Sequence, residues 1–553
     1  MPKNNHTYKW AQLIKWGGKL ADIQKQQKTM RVSYIVLLLG VFMAALDNGI
    51  ISAALTTING TFNVSATLGT WGITLYTLGM AVATPIVGKL SDRYGRKKLF
   101  LIELIIFTIG SLGVALSPNF AFFLGSRLFQ SFGGGGLFII ASSHIISTVT
   151  KQKQGSMLGM LGAMNGIASV IGPNIGSFLI DITGNWHWLF LINVPIGILL
   201  VIFGWFALEE TRIEVQSKID YYGITLLSLS ILAVMFAVNN LGSGETLTGS
   251  FLSIGVLGLL LLGIAVFAFL LMLEKRQEGG NVDPILPYTL LKKPTYAVTM
   301  LLALMSGTFI GAVIFIPSFA EQVIGIPAAK SGYWMTPLAL ASGIGAGGGG
   351  FFVDKRGPVQ TLVLSGLIAM IGFGGLAFFT STKLSFIVFT VIAGIGFGFA
   401  LGAPLTVLTS NAAGKQKGTA IGTLSVARQI GLTISPTIFG AFIQQGFSKL
   451  GSIIPEKLMQ NGINPSDMPE EAMHQIKGEG GYSNIQESIA NIPDEDVQSA
   501  LYQAFEEAAQ LAYQPIYLFA AIMAVLLIGL ALIFQKQFKK DEQEEEKASE
   551  ELE

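Results

Sequence analysis

Fourteen stretches of mostly apolar residues, each near the ~20 that a helix needs to cross a bilayer, constrain this chain more than any other feature. They lie near 33–55, 69–88, 99–117, 119–142, 155–180, 187–208, 220–240, 251–273, 295–317, 330–352, 359–380, 385–409, 418–445 and 514–535. Hydrocarbon offers no partner for backbone N–H and C=O groups, so spans of this length must be helical. Composition agrees: 12% of the residues are charged, about half the ~25% usual for soluble domains. The expectation is an all-α membrane protein of fourteen transmembrane helices. The seventh and eighth are the weakest and would also fit a pair of peripheral helices.

Basic residues orient the spans, because Lys and Arg concentrate in cytoplasmic loops. With the N-terminus inside, 28 of the 35 Lys and Arg residues fall on the inner side and five on the outer side. The other two, Arg127 and Arg428, lie within spans. An even number of spans with both termini cytoplasmic follows. The four histidines form no HxxxH pair and there are no cysteines, so neither a metal site nor thiolate catalysis is expected. A net charge of +1 gives no case for nucleic acid. No catalytic residues and no cofactor are expected.

Six helices repeat. GKLSDRYG (Gly88–Gly95) and GFFVDKRG (Gly350–Gly357) share Gly, Asp and Gly at an offset of 262. GSMLGMLGAMNGIASVIGP (Gly155–Pro173) and GTAIGTLSVARQIGLTISP (Gly418–Pro436) share two glycines and a proline at an offset of 263. Such nearly equal offsets imply an N-terminal six-helix bundle at 32–210 and a pseudo-symmetric copy at 294–535, with two inserted helices and linkers at 211–293. Paired repeats are a transporter design, with the substrate path between the halves. A cytoplasmic segment at 1–31 carries Trp10, Leu13, Ile14 and Leu20 near helical spacing, which suits an amphipathic helix on the inner leaflet, while Gly17-Gly18 suits a disordered tail equally well. An outer loop at 446–513 is expected to hold short helices. An acidic cytoplasmic tail at 536–553 reads as disordered.

Asp47, in FMAALDNGIISAAL, and Arg127 sit at similar depth in the first half. Counting along their helices puts Asp47 roughly 22 Å and Arg127 about 18 Å from the inner face. Charges this deep are costly unless they pair or face a cavity. The expectation is that Asp47 alternates between a proton and either Arg127 or a cationic substrate; the alternative is a permanent structural ion pair. Burial favours a neutral carboxyl and a nearby guanidinium favours a charged one, so the two influences compete. The repeat equivalents fall near Phe309 and Thr390, which are uncharged, so coupling belongs to the N-terminal half. Candidate substrate contacts are Phe309, Phe315, Trp334, Met335 and the deep Arg428 in the second half, and Tyr76, Met164 and Asn165 in the first. Aromatics and methionine suit an adaptable apolar wall. Glu103, one turn past a basic turn, reads as an interfacial anchor paired with lysine.

Several motifs resemble those of the major facilitator superfamily, in its fourteen-helix drug:proton antiporter branch. GKLSDRYGRKKLF (Gly88–Phe100) is similar to the superfamily's loop 2–3 motif at nearly every position. RLFQSFGGGG (Arg127–Gly136) resembles its helix 4 motif, with Ser131 where glycine is usual. GIASVIGPNIGS (Gly166–Ser177) resembles the helix 5 antiporter motif, with Ala168 and Ser177 replacing glycines. NWHWLFLINVPIG resembles the helix 6 signature, with His187 in place of arginine. The helix 1 stretch keeps Leu46-Asp47 and Ala54-Leu55 of the branch, and RQIG (Arg428–Gly431) resembles its helix 13 pattern. The resemblance covers roughly residues 30–445 and the last helix.

The resemblance implies a cytoplasmic gate at Gly88, Asp92, Arg93, Gly95 and Arg96, with Asp354 in the repeat. There the glycines permit a tight turn, the aspartate can face a helix N-terminus, and the arginines stay with headgroups. It also implies a tight seam at Gly166, Gly172, Pro173 and Gly176. Small residues let helices approach there and proline permits a bend.

The expected function is proton-coupled secondary export of lipophilic, cationic drugs by alternating access, with the proton as coupling ion. An exporter or flippase of a lipid or fatty-acid-like compound would use the same fold. A non-transporting receptor or scaffold has no need of a deep Asp/Arg pair or of two matched halves. No GxxxxGK[ST] loop supports ATP-driven transport, and no enzyme activity is expected. Expected partners are small lipophilic or cationic substrates, protons and membrane lipids, with the chain a monomer. The expected location is a bacterial cytoplasmic membrane, as a multi-pass protein.

Overall fold

A computed structural model describes residues 5–64, 66–69, 71–212, 218–240, 253–277, 282–286, 288–326, 332–414, 416–464, 489, 492 and 494–550, without the side chains of 5–29, 545–550 and scattered single positions. α1 (Asn5–Phe62) is one 58-residue helix. After it come α2 (Trp71–Tyr94), α3 (Arg96–Ala115), α4 (Phe120–Thr148), α5 (Lys151–Thr183) and α6 (Asn193–Ala207). α7 (Tyr221–Asn240) and α8 (Leu259–Gln277) follow. α9 (Pro294–Ile314), α10 (Thr336–Arg356), α11 (Pro358–Phe378), α12 (Lys383–Leu401), α13 (Lys417–Ser448) and α14 (Glu495–Ile533) complete the series.

Among the described residues, twelve helical stretches are long and apolar enough to cross a membrane, and thirteen if the bent pair Lys151–Ala168 and Ile171–Thr183 counts as one. The expected span outside that count is α4. It has length enough, at 29 residues, but it buries Arg127, Gln130, Ser131 and His144, which lower its hydropathy.

The repeat seen in the sequence recurs in the turns. Gly95 (φ 108°) separates α2 from α3, and Gly357 (φ 86°) separates α10 from α11. Glycine enters that region without the penalty a Cβ brings. Pro294 and Pro358 open α9 and α11, where a missing N–H leaves no helical bond unmade. Packing repeats too. α3 packs on α6 as α11 packs on α14, and α1 contacts α6 as α9 contacts α14.

α5 bends by 45° between Ala168 and Ile171. Pro173 lies inside this helix and has no N–H for the carbonyl four residues back, at Ser169, which puts the break there. The chain divides into two compact units at this bend. One holds Met1–Ser147 and Gly172–Val215, the other Thr148–Ile171 and Gln216–Glu553. The first half of α5 thus groups with the second unit, where a cut near residue 210 would have left it with the first.

Within the second unit, α7 and α8 pack on each other and α7 touches α13. The segments flanking this helix pair join as a two-stranded parallel sheet, β1 (Lys218–Ile219) beside β2 (Val282–Asp283), a small β element in a chain expected to be all α. Phe309, Phe319, Phe373, Phe386, Tyr513 and Tyr517 are central to this unit's core.

In the segment between α13 and α14, expected to be an outer loop, Leu450–Gln460 is a short helix, and α14 begins at Glu495. Asp494 caps α14 by accepting the N–H groups of Asp496 and Val497. Lys457 ties the two helices through Glu507, at 2.8 Å. Residues 465–488, 490, 491 and 493, six of the eight in the expected IQESIANI helix among them, lie outside the described residues, as do the side chains of the N-terminal segment expected to be amphipathic. The acidic tail differs from expectation: Gln535–Glu550 is a helix. Its Glu, Lys, Gln and Ala residues are good helix formers, and Lys540 lies 3.8 Å from Glu544 one turn on, a spacing that supports a helix.

Candidate functional site

Five helices of the first unit converge on Asp47. α1 brings Asp47 itself, α4 brings Arg127 and Gln130, α3 brings Ser111, α6 brings Asn193, and α2 brings Gly72 and Tyr76. Asp47 Oδ2 lies 2.6 Å from Arg127 Nη1, and both side chains have 0% exposure. Asp47 Oδ1 accepts from Gln130 Nε2 at 3.0 Å and from Asn193 Nδ2 at 3.1 Å. Gln130 is itself bound on both ends. Its carbonyl accepts from Arg127 Nη1 at 2.7 Å, and its amide donates to Ser111 Oγ at 2.7 Å.

The cation is held as closely. Arg127 Nε donates to the Gly72 carbonyl at 3.4 Å, and the guanidinium lies 4.1 Å from the centre of the Tyr76 ring and 5.5 Å from that of Phe190. An aromatic face offers a cation favourable electrostatics where water is absent. The carboxylate therefore has three donors and the guanidinium has a carboxylate, two carbonyls and a ring. Three polar atoms around the pair have no partner among the described residues: Arg127 Nη2, Tyr76 Oη and Asn193 Oδ1. A buried network with spare donors and acceptors can rearrange its bonds when a proton arrives.

Sequence reasoning reached Asp47, Arg127 and Tyr76 but missed Gln130, Ser111 and Asn193. A signal existed for two of them. Gln130 lies three residues after Arg127 on one helix face, and Asn193 is a lone amide in an apolar span, which marks a functional position. Ser111 is small and sits among glycines, and nothing in the sequence singles it out.

The loop 2–3 motif forms a compact polar cluster. Arg96 bonds Asp92 one turn back at 2.7 Å, Ser143 Oγ on α4 at 2.6 Å, and Thr211 Oγ1 at 3.3 Å. Gly95 is pressed against the Glu210 carboxylate. Glu210 accepts the N–H groups of Lys97 and Lys98, each at 3.1 Å, and so caps α3, favourably for the helix dipole. The sequence reading did not anticipate this cap. Arg93 stacks 5.8 Å over the neighbouring Tyr94 ring. Gly88 is buried within α2.

Asp354, the repeat counterpart of Asp92, reaches another helix. It accepts the backbone N–H of Gly155 at 2.6 Å and of Ser156 at 2.8 Å, and also bonds the Ser156 hydroxyl. This contact joins α10 to the first half of α5 within the second unit. The helices touch by backbone there: a Cβ on Gly350 would come within 2.8 Å of Gly159 Cα, and one on Gly159 within 2.6 Å of the Ala346 carbonyl.

The antiporter-motif residues are split by the bend. Gly166 lies before it, near Ser342, and a Cβ there would still clear Ser342 Oγ at 3.4 Å. Gly172 lies after it against α1, where a Cβ would meet Gly49 Cα at 2.7 Å. Pro173 is half-buried and Gly176 is buried on the same side.

The expected substrate contacts separate into two groups. Tyr76 and Phe309 are fully enclosed, Tyr76 beneath Arg127 and Phe309 beside Phe373 at 5.7 Å, and an enclosed ring offers a ligand no surface in this arrangement. Met164, Asn165, Phe315, Trp334, Met335 and Arg428 are half-buried. Phe315 meets Phe439 edge to face at 6.0 Å, and Trp334 lies 5.7 Å from Phe386.

Glu103 departs from its reading as a lysine-paired anchor. It is 3% exposed and accepts the N–H of Gly136 at 3.2 Å. The glycine run of α4 causes this, because bare backbone at Gly133 and Gly136 lets α3 approach closely enough to draw Glu103 inside. No group of three or more potential metal ligands occurs among the described residues.

Comparison with known proteins agrees with this architecture. The sequence profile described as Major Facilitator Superfamily matches residues 37–436. The chain is 52% identical over 522 residues to the uncharacterized MFS-type transporter YfiU of Bacillus subtilis, covering 94% of this chain and all of that protein. It is 32% identical over 524 residues to Multidrug resistance protein 3 of the same organism, covering 92% and 97%. The solved structure of the proton:xylose symporter XylE bound to 6-bromo-6-deoxy-D-glucose superposes with a TM-score of 0.53 at 14% identity, over 92% of this chain and 96% of that one. This last likeness is one of fold.

Proposed function

Because the chain belongs to the Major Facilitator Superfamily, we propose that it is a proton-coupled exporter of lipophilic, cationic small molecules that works by alternating access. It is a transporter and not an enzyme. The observation that carries the proposal is the fully buried Asp47–Arg127 pair with its shell of three neutral polar residues. The repeat positions in the second half, Phe309 and Thr390, are buried and uncharged, which supports coupling in the first half alone. The relatives named for multidrug resistance and multidrug transport support a small-molecule cargo.

In this reading a proton reaching Asp47 removes the charge that holds Arg127. The new O–H needs an acceptor, and the Asn193 carbonyl oxygen has no partner among the described residues. A turn of the Asn193 amide then converts it from donor to acceptor. Arg127 keeps Gln130, the Gly72 carbonyl and the Tyr76 ring, so the cation is not stranded. Five helices feel the change at once, because each contributes a group to the network. The Asp92–Arg96 cluster and the Asp354 contact with α5 act as the cytoplasmic gate that this change opens and closes.

We extend the proposal to fourteen spans, with α4 and the bent α5 included, and to cytoplasmic termini, which the Lys and Arg distribution supports. The location is a bacterial cell membrane, in keeping with the Bacillus relatives, and the working unit is a monomer. A second reading, export of a lipid or fatty-acid-like compound, is favoured by one observation, the deep cation Arg428.

The test is pH-gradient-driven efflux of the lipophilic cation ethidium from inverted vesicles. Wild-type protein drives efflux, and Asp47→Asn, which keeps the shape and loses the charge, abolishes it. Undiminished proton-driven efflux by the variant rejects the proposal.

A further inference from the structure

The second unit contains a cation without a counter-ion. Arg428 lies on α13, eleven residues from its start at Lys417, and so roughly 16 Å along the helix. Ser306 lies twelve residues into α9, roughly 18 Å along. Both stand near the middle of a ~30 Å hydrocarbon core. Arg428 Nε donates to Ser306 Oγ at 3.3 Å, and the Ser306 hydroxyl is already donating to the Ala303 carbonyl at 2.7 Å, so it faces Arg428 as an acceptor. Arg428 Nη2 is buried and has no acceptor among the described residues. Among the described residues no carboxylate lies within 4 Å of this guanidinium.

The contrast with Arg127 is sharp. Arg127 has a carboxylate, two carbonyls and an aromatic face. Arg428 has one hydroxyl. An unpaired charge at this depth is costly, and such residues face an interior pathway rather than lipid tails. Every residue from Ser425 to Ile430 is half-buried, so protein does not fully enclose α13 at this level. A Cβ on Gly307 would come within 2.2 Å of the Arg428 carbonyl oxygen, which places α9 and α13 in backbone contact at Arg428 itself. The backbone of Arg428 is thus fixed while its guanidinium has donors to spare.

We propose that Arg428, positioned by Ser306, binds the carboxylate of an amphipathic substrate, whose apolar body lies along the half-exposed aromatic and methionine side chains of this unit. A guanidinium presents parallel donors that match a carboxylate in geometry as well as in charge. The bound anion supplies the counter-charge that the protein omits. The substrate class is a lipophilic carboxylic acid, or a zwitterion carrying one. This inference rests on the exporter reading in its second form, with a fatty-acid-like cargo, and names the residues that would bind the acid group.

Binding and transport are measured separately so that the two ideas fail separately. Purified full-length protein in nanodiscs is titrated with dansyl-labelled undecanoic acid and with its methyl ester, which has the same apolar body without the charge. Wild type binds the acid more tightly than the ester, by about tenfold or more, the scale on which a buried charge pair acts. Arg428→Met loses the preference, and Arg428→Lys keeps part of it. Thermal unfolding of each variant in the same nanodiscs confirms that it is folded. Equal affinity of wild type for acid and ester overturns the proposal, as does an unchanged preference in Arg428→Met. Acid-selective binding without proton-driven transport of either probe upholds the site and rejects the exporter reading.

Discussion

Asn193 Nδ2 donates to Asp47 Oδ1 at 3.1 Å, while the carbonyl oxygen of the same amide meets no donor among the described residues. This half-used amide makes Asn193 the residue best placed to register whether Asp47 carries a proton. Asn193→Leu keeps the Asp47–Arg127 pair and removes both the donor and the acceptor. Proton-driven efflux is expected to fall about tenfold, the scale of a single hydrogen bond of roughly 1.5 kcal/mol to a charged group. Efflux rates of the two proteins, measured across a range of imposed pH gradients, check this. Equal rates throughout would mean that Asn193 only fills space.

Removing either charge of the central pair leaves the other uncompensated. Arg127→Ala is expected to destabilise the protein by about 3–5 kcal/mol, and the Asp47→Ala, Arg127→Ala double variant by less than Arg127→Ala alone. Thermal unfolding of the two single variants and the double in detergent forms a complete cycle. Additive losses would show that the two residues are held by other contacts.

Gly350 and Gly159 bring α10 and α5 into backbone contact, and a Cβ on Gly350 would come within 2.2 Å of the Gly155 carbonyl oxygen. Gly350→Ala is expected to cost about 1–3 kcal/mol, as overpacking does, and to weaken the Asp354 bonds to Gly155 and Ser156. Gly347→Ala is the control, since nothing lies within 4 Å of the Cβ it would add. If the two alanine variants unfold together, the contact is not a tight one.

Glu103 is buried with one backbone donor, Gly136 N–H. Glu103→Gln keeps the size and an acceptor for that N–H. It is expected to leave stability within about 1 kcal/mol, because a buried neutral amide has no charge to desolvate. Glu103→Lys, with a cation in the same space, is expected to prevent folding. A stably folded lysine variant would show that this position opens to water.

Much of the architecture was legible in the sequence, for physical reasons. Apolar runs reveal spans because lipid tolerates little else. The paired glycines at Gly95 and Gly357 reveal the repeat because the turn needs positive φ in both copies. Asp47 and Arg127 stood out because charge is rare at that depth. The neutral members were harder to see: Gln130 and Asn193 left a signal only as a polar neighbour of Arg127 and a lone amide in an apolar span, and Ser111 acquires meaning only when five helices meet. Glu103 was misread because depth counted along one helix does not tell which neighbour encloses it. The bend in α5 was visible at Pro173, but the regrouping of Thr148–Ile171 with the second unit was not, since it depends on what that half-helix packs against.

The most direct test of the central claim counts protons at Asp47. Purified protein in weakly buffered detergent, with a pH indicator present, is mixed with saturating ethidium. The account predicts proton release from wild type as the cation binds and none from Asp47→Asn. Equal release from both proteins would contradict it, and would place the coupled proton on another group.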